Sequence, residues 1–482
     1  MNKSYAAINN SVNPGNIFSR TKNHEAQRCE RTRPRGTPRP EPRRLKGGPM
    51  PTLGAIADDF TGATDLATML VARGFRTRVV VGVPEPPPPA DADPDALVVA
   101  LKSRTAPTAQ AVADSLAALR ALVEAGCERF YFKYCSTFDS TPQGNIGPVM
   151  DALLDELGAA RTVVVPAFPA TGRTVYRSRL FVHDELLDES PMRNHPLTPM
   201  RDSHLVRLLA PQTARTVRQL PHETVRAGAE AVQARLAEPE FADGALVADA
   251  TTDDDLRTLA AATASFPLVT GGAGLALGFS GPRSGADEAR ASAADPAPDA
   301  KGVVLSGSAS AATRAQVAHG AARLPHRKLD LAALRRDFDA EVAALVEFAE
   351  RSWAERPGQP PLLYAVGEER DVEPAGAEPG VPAAELVESA LARCARLLVR
   401  RGATRLLVAG GETSGAVVTA LGVRALRMGA PLGPGVSWAT AEAYPYGEED
   451  GAAETGVLVD LALKSGNFGA VDLFTAAWKE LS

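Results

Sequence analysis

The chain is poor in the residues that build disulfide and metal frameworks. Its 482 residues include four cysteines and seven histidines. Cys29, Cys127, Cys135 and Cys394 are scattered without C-x-x-C spacing, which excludes a disulfide framework and a thiolate zinc site. No two histidines stand at i and i+4, so a histidine metal centre is not expected. Aromatic residues make up only 5%. No window approaches the roughly 18 uninterrupted apolar residues of a transmembrane helix. No apolar h-region of a signal peptide lies near Met1. Cytoplasm is the expected compartment, with no membrane partner. The two best-known phosphate fingerprints, G-x-x-x-x-G-K-[ST] and G-x-G-x-x-G, are also missing, so any nucleotide site must be built from other glycine turns.

What is present is the composition of a globular protein, 45% apolar and 23% charged. The length predicts two domains rather than one core. The net charge of −6 conceals a split. Residues 1–49 carry eight Arg and three Lys against three Glu, a net +8, which leaves −14 on the remainder. That sign is wrong for a nucleic-acid binder organised around the globular part. Residues 1–49 are Arg/Pro-rich without apolar periodicity and are read as a disordered basic tail. Met50 directly precedes the first strand candidate and is read as the translation start.

From Leu53 onward, short β-rich runs alternate with amphipathic helices, which predicts an α/β protein with doubly wound parallel sheets. Strands are expected at Leu53–Ala57, Thr77–Val83, Ala96–Leu101, Arg129–Tyr134, Thr162–Val165, Gly244–Val247 and Pro267–Thr270. The run Pro86–Pro89 is a surface loop, because proline cannot donate to a ladder. Residues 281–300 lose all periodicity and read as a linker. A second set follows, with strands at Gly302–Leu305, Leu362–Val366, Arg405–Val408 and Val457–Leu461. Helices are expected at Ala311–Gly320, Ala332–Trp353, Ala383–Arg401 and Ser414–Leu421. The expected division is therefore residues 50–280, a linker at 281–300, and residues 301–482. Each domain is built on a mainly parallel sheet flanked by helices, with the active-site cleft between them.

The stretch from Gly54 to Ala67, GAIADDFTGATDLA, reads as a strand, two carboxylates and a turn opening a helix. Ligands in open parallel sheets sit beyond the carboxyl ends of the strands. Asp58 and Asp59 should stand at that lip, and one carboxylate is enough to cap a helix. The next strands end in similar chemistry: Lys102 and Arg104 after one, Lys133, Ser136 and Asp139 after another, Arg173 after a third. If the strands are neighbours, these side chains converge. Four cations and three carboxylates suit a small polyhydroxylated acid, since Arg and Lys hold a carboxylate while Asp accepts from hydroxyls. Asp58 and Asp59 would repel an anion, so their expected task is to orient a hydroxyl, one of them taking its proton.

The second half offers strand–glycine turn–helix units at Val303–Thr313 and Leu406–Gly415, and a third glycine turn at Lys464–Gly469. Glycine lets backbone N–H groups approach a ligand, and a helix N-terminus favours negative charge. Together they describe a nucleotide phosphate cradle. Glu412 would face phosphates only with a cation such as Mg²⁺ between them. The Thr270–Gly278 run is G-x-G-x-x-x-G with no strand and acid after it, so no nicotinamide site is expected, although the loop could line the cleft.

These motifs together resemble the four-carbon acid sugar kinase family. The matching stretches include IADDFTGATDLA, LKSRT, YFKYCSTFDST, VVPAFPATGRTVY, VVLSGSAS, AGGETSGAV and LALKSGNFG, in order from residue 53 to about residue 474. The resemblance implies a sugar-acid-binding N-terminal domain, an ATP-binding C-terminal domain and phosphoryl transfer across the cleft with Mg²⁺. It places ATP contacts at Ser308, Gly410, Gly411, Glu412, Thr413 and Gly466. The substrate it implies is a 3-oxo-tetronate phosphorylated at C4, with D-threonate or erythronate as an alternative. A non-catalytic sugar-acid-binding protein is the alternative of another class, and the intact glycine turns speak against it. A homo-oligomer is compatible with the resemblance. The sequence departs from the family at Ala309, where Cys is common, and at Ser178-Arg179, where Gly is common; neither is expected to alter the site.

Overall fold

Among the described residues eighteen strands account for the alternation read in the sequence, and fifteen of them join one continuous sheet. In the computed structural model the described residues are 53–84, 94–194, 198–283, 300–372, 381–433, 435–445 and 456–478. The basic tail, the proline run and nearly all of the expected linker lie outside them. Among the described residues, no helix is long and apolar enough to cross a membrane.

The first half contributes β1 (Leu53–Ala57), β2 (Thr77–Val81), β3 (Ala96–Ala100), β4 (Arg129–Lys133) and β5 (Arg161–Val165). These are followed by β6 (Arg173–Tyr176), β7 (Arg179–Val182), β8 (Glu185–Leu186), β9 (Val217–Leu220), β10 (Gly244–Ala248) and β11 (Leu268–Gly271). Its helices are α1 (Phe60–Ala72), α2 (Thr108–Glu124), α3 (Ile146–Leu157), α4 (Leu205–Leu209), α5 (His222–Arg226), α6 (Ala229–Leu236) and α7 (Asp253–Ala262). The second half contributes β12 (Lys301–Ser306), β13 (His326–Lys328), β14 (Leu362–Tyr364), β15 (Ala403–Ala409), β16 (Ala425–Gly433), β17 (Val436–Ala443) and β18 (Val457–Lys464). Its helices are α8 (Ala311–Ala321), α9 (Leu331–Arg336), α10 (Phe338–Glu355), α11 (Ala383–Arg400), α12 (Gly411–Ala420) and α13 (Leu473–Ala476).

The strand order is β13-β14-β12-β15-β18-β17-β16-β2-β3-β1-β4-β11-β5-β10-β9. Every pairing on the β2 side of the β2–β16 junction is parallel, as is every pairing from β13 to β18. Strands β1, β3 and β10 are buried at every position, as interior strands covered on both faces must be. Burying such Val/Leu/Ala runs supplies the main driving force, at about 25 cal/mol per Å² of apolar surface.

Between the two parallel blocks lies an antiparallel hairpin, β16–β17, whose outer strand pairs with β2 through Ala425–Val80, Leu426–Val79 and Arg427–Arg78. The sequence pattern does not reveal this hairpin. Gly429, Pro431 and Gly433 break its periodicity, and the register shifts around Pro431. A buried hydrogen bond from Ser437 Oγ to Thr68 Oγ1, 2.9 Å long, fastens the hairpin to α1. The described residues accordingly form one compact unit. The other departures are local. The expected Ala332–Trp353 helix is two helices, because Asp337 at φ −153° ends α9 and caps α10 through the Ala340 N–H. Strands β6, β7 and β8 form a separate antiparallel sheet in the loop region after β5.

Candidate active site

Helix α1 places three acids around one cavity. Asp59 is its N-cap, in extended conformation, with Oδ1 accepting the Gly62 N–H at 2.8 Å and Oδ2 accepting the Thr61 hydroxyl at 3.0 Å. Asp58 directly follows β1, its N–H donating to the Lys133 carbonyl and its carbonyl receiving the N–H groups of Ser103 and Arg104. These bonds tie the ends of β1, β3 and β4 together. The cavity holds about 270 Å³.

All eight acceptor-side residues expected from the sequence line this cavity: Asp58, Asp59, Lys102, Arg104, Lys133, Ser136, Asp139 and Arg173. Arg104 is the hub. Its Nε and Nη2 grip the two oxygens of Asp58 at 2.9 and 2.8 Å, Nη2 reaches Asp59 Oδ1 at 2.9 Å, and Nη1 stands 3.7 Å from Asp139 Oδ2. Burial opposes charge on this guanidinium, but Asp58 and Asp59 outweigh it and hold its pKa well above the ordinary value. For Asp58 burial wins over the Arg104 attraction, and its pKa is raised. For Asp59 burial is outweighed by Arg104, Lys133 and the two cap hydrogen bonds, and its pKa is lowered.

The other cations are less compensated. Lys133 is 2% exposed, and its Nζ donates to the Tyr134 carbonyl at 3.0 Å. Arg173 is 8% exposed; it donates to the Thr171 carbonyl, while its Nε has no partner. Burial lowers the Arg173 pKa. Lys102 lies in the open and meets Glu412 across the cavity, Nζ to Oε2 3.5 Å.

Glycine loops of the second half form the opposite wall, with Gly411, Glu412, Ser465, Asn467 and Phe468 reaching the cavity. Of the six expected nucleotide contacts only Gly411 and Glu412 line the cavity; Ser308, Gly410, Thr413 and Gly466 do not, although Gly410 packs against Ser308 and Thr413, and Gly466 against Ser308. Gly410, at φ 125°, is the N-cap of α12 and donates to the Lys464 carbonyl. A Cβ on Gly466 would lie 2.7 Å from Ser308 Oγ and 3.0 Å from Ser310 Oγ. The Gly466 carbonyl accepts from Ser310 Oγ, Thr313 Oγ1 and Lys464 Nζ at 2.6, 2.7 and 3.1 Å. Helix N-termini and small residues at this wall suit a phosphate chain. Among the described residues, no three His, Cys, Asp or Glu side chains form a metal-holding group. Glu412 is the one carboxylate that the described glycine loops present to the cavity.

Sequence reasoning missed several lining residues, Asp65 above all. Asp65 is the single charged residue of α1 and is 4% exposed; its Oδ1 has no partner and its Oδ2 stands 3.9 Å from Lys133 Nζ. An acid inside an otherwise uncharged helix is the signal that could have found it. Thr61, Thr137, Met192, Asn467 and Phe468 were missed as well. The glycine run at 271–274 packs on the ends of β4 and β5, where Cβ atoms would meet the carbonyls of Val165, Pro166 and Ala167, and it is not among the cavity-lining residues. Ala309 is exposed and needs no side chain there.

A wall of opposed charges thus faces glycine loops at a helix N-terminus. The chain matches the model of a sugar-binding N-terminal domain over residues 53–279 and that of a nucleotide-binding C-terminal domain over residues 303–474. It is 50% identical to the 3-oxo-tetronate kinase of Burkholderia multivorans over 89% of this chain and 97% of that protein. It is 49% identical to that of Cupriavidus necator over the same shares. A crystal structure of a Salmonella typhimurium LT2 protein, described as a tRNA synthase, superposes with a TM-score of 0.76 at 38% identity, over 89% of this chain and all of that one. The chain belongs to the four-carbon acid sugar kinase family.

Proposed function

We propose that the protein transfers the γ-phosphoryl group of ATP to the C4 hydroxyl of a 3-oxo-tetronate, 3-dehydro-erythronate or 3-dehydro-threonate. The observation that carries this reading is the division of one cavity into a wall of opposed charges and a wall of glycine loops. Phosphoryl transfer asks for placement and charge neutralisation more than for covalent chemistry. On the acceptor side, Arg104 is already neutralised by Asp58 and Asp59, so Lys133 and the unpartnered Nε of Arg173 are the groups left to hold the substrate carboxylate. Lys102, Ser136 and Asp139 complete the acceptor site, and Asp58 and Asp59 orient hydroxyls while fixing Arg104. The 50–280 and 301–482 division gives each wall its own domain. A tRNA partner is disfavoured by the net −14 on residues 50–482.

Ser308, Gly410, Gly411, Glu412, Thr413 and Gly466 hold the nucleotide in this reading. Glu412 would hold a Mg²⁺ ion, whose charge would offset that of the phosphates. The Lys102–Glu412 pair is exposed on both sides and opens at little cost. The reaction belongs in the cytoplasm, where ATP is at hand.

The test is a coupled ADP-release assay with 3-oxo-tetronates, tetronates and no acid. Turnover is expected with the 3-oxo acids above the other two. No stimulation by any four-carbon acid would sink the kinase reading.

A further inference from the structure

We infer that Asp65 is the catalytic base of this reaction, its free carboxylate oxygen taking the proton of the acceptor hydroxyl. The inference rests on the kinase reading above and replaces Asp58 or Asp59 in the proton-accepting role expected from the sequence.

The three acids differ in what their oxygens already do. Both Asp58 oxygens are held by Arg104 at 2.8–2.9 Å. Asp59 spends Oδ1 on the Gly62 N–H and Arg104, and Oδ2 on the Thr61 hydroxyl. Asp65 Oδ1 accepts nothing, although it is cut off from water. A buried carboxylate oxygen without a donor costs stability, and more so when the group is charged. Leucine or alanine would fill this helix position without that cost, so the acid is retained for a task that a donor arriving with the substrate completes.

Position separates the acids too. Asp58 lies toward the first half, against Ser103 and Arg104. Asp65 lies one turn beyond Thr61 on the same helix face. Thr61 Oγ1 would be 3.4 Å from a Cβ on Gly411, at the start of α12. Gly435, in the β16–β17 turn, has the same intermediate place: a Cβ there would stand 3.0 Å from Asp65 Oδ1 and 2.7 Å from the Phe468 ring. Asp65 therefore sits at the seam where the acceptor wall meets the nucleotide wall, which is where the phosphoryl group must cross.

The charges facing Asp65 are Lys133 from β4, Asp59 from the β1–α1 turn and Arg173 from β6, and Gly435 of the β16–β17 turn approaches its Oδ1. Burial, the largest influence, raises its pKa against the pull of Lys133 and Arg173 and with the help of Asp59, to about 6 in all. A base poised near the working pH combines the correct protonation state with useful proton affinity. In the step, the hydroxyl proton passes to Asp65 Oδ1 as the oxygen–phosphorus bond forms. The bond from the γ-phosphorus to its bridging oxygen breaks, and its electron pair leaves with ADP. Asp65 is left as a neutral acid and returns the proton to solvent.

The test compares wild type with Asp65→Asn and Asp65→Glu by coupled ADP release from pH 5 to 8.5, with ADP affinity measured by calorimetry. In Asp65→Asn we expect kcat to fall by about 10²–10⁴-fold, with ADP affinity and the KM for the acid within about threefold. Wild-type kcat should show an acid limb that Asp65→Asn lacks and that Asp65→Glu, with its carboxylate displaced, recovers in part with some of the rate. An Asp65→Asn enzyme that keeps more than a tenth of kcat with the acid limb intact overturns the inference and leaves the kinase reading standing. A Glu variant no better than the Asn variant also overturns it. A wild-type enzyme inactive on every four-carbon acid overturns the kinase reading first, and the base assignment with it.

Discussion

Arg104 closes on Asp58 as a two-pronged fork, with Nε 2.9 Å from Oδ2 and Nη2 2.8 Å from Oδ1. The residue expected to handle a hydroxyl is thus first a support for its neighbour. A bidentate guanidinium–carboxylate pair fixes geometry as well as charge, and this one joins the ends of β1 and β3.

Asp58 and Asp59 should therefore respond differently to the same change. Asp58→Asn removes one partner of a buried pair, which typically costs about 3–5 kcal/mol. Asp59→Asn keeps a side chain that caps α1 as well as Asp does but gives up its charged contact with Arg104, and it should cost about 1–2 kcal/mol. Urea unfolding measures both. Equal losses would show that the fork does not hold the strand ends together.

Gly466 should not accept a side chain, whereas Gly415 should. A methyl at 466 meets Ser308 Oγ at 2.7 Å, while nothing lies within 4 Å of a Cβ at 415. Gly466→Ala is expected to raise the KM for ATP at least tenfold. Gly415→Ala, inside α12, should leave KM alone and stabilise by about 0.5–1 kcal/mol. An unchanged KM for ATP in Gly466→Ala would remove this turn from the nucleotide site.

The two-residue link between β6 and β7 holds Arg177 and Ser178 in the left-handed region, at φ 50° and 57°. Asp249 Oδ2 and Oδ1 accept their N–H groups, each at 2.8 Å. Positive φ at both central residues of a two-residue hairpin link is the type I′ geometry that favours glycine. Ser178 also buries a hydroxyl without a partner. Ser178→Gly should stabilise by about 1–2 kcal/mol by relieving both faults, read as a rise in the urea midpoint at unchanged kcat. A lower midpoint would mean that the hydroxyl has a use after all.

What the sequence made legible follows from where its signals are local. A buried parallel strand is a short run of Val, Ile, Leu and Ala, and its last residue marks the ligand edge. Asp58, Lys102 and Lys133 could thus be placed from pattern alone. The β16–β17 hairpin could not be read, because Gly429, Pro431 and Gly433 give it the look of a loop and its pairing with β2 spans more than 340 residues of chain. Asp65 was hidden for another reason. Its importance lies in an unmet oxygen and in the approach of Gly435, and neither exists until the two halves are packed together.

Lys464 offers a final test in the pH dependence of stability. Its Nζ is fully buried beside the glycine loops, donating to Thr313 Oγ1 at 2.8 Å and to the Gly466 carbonyl, and among the described residues no ion pair reaches it. Burial lowers its pKa to about 7 from an ordinary 10.5. Between these values the unfolded chain carries a proton that the folded chain has released. Folding then gains stability as pH rises, by about 1.4 kcal/mol per unit for a single proton. Below about pH 7 both states are protonated and the gain is gone. Lys464→Met should flatten this slope between pH 7.5 and 9.5, measured as the difference in urea unfolding free energy between the two proteins at each pH. Parallel curves for wild type and Lys464→Met would show that Lys464 keeps its ordinary affinity for the proton in the folded protein.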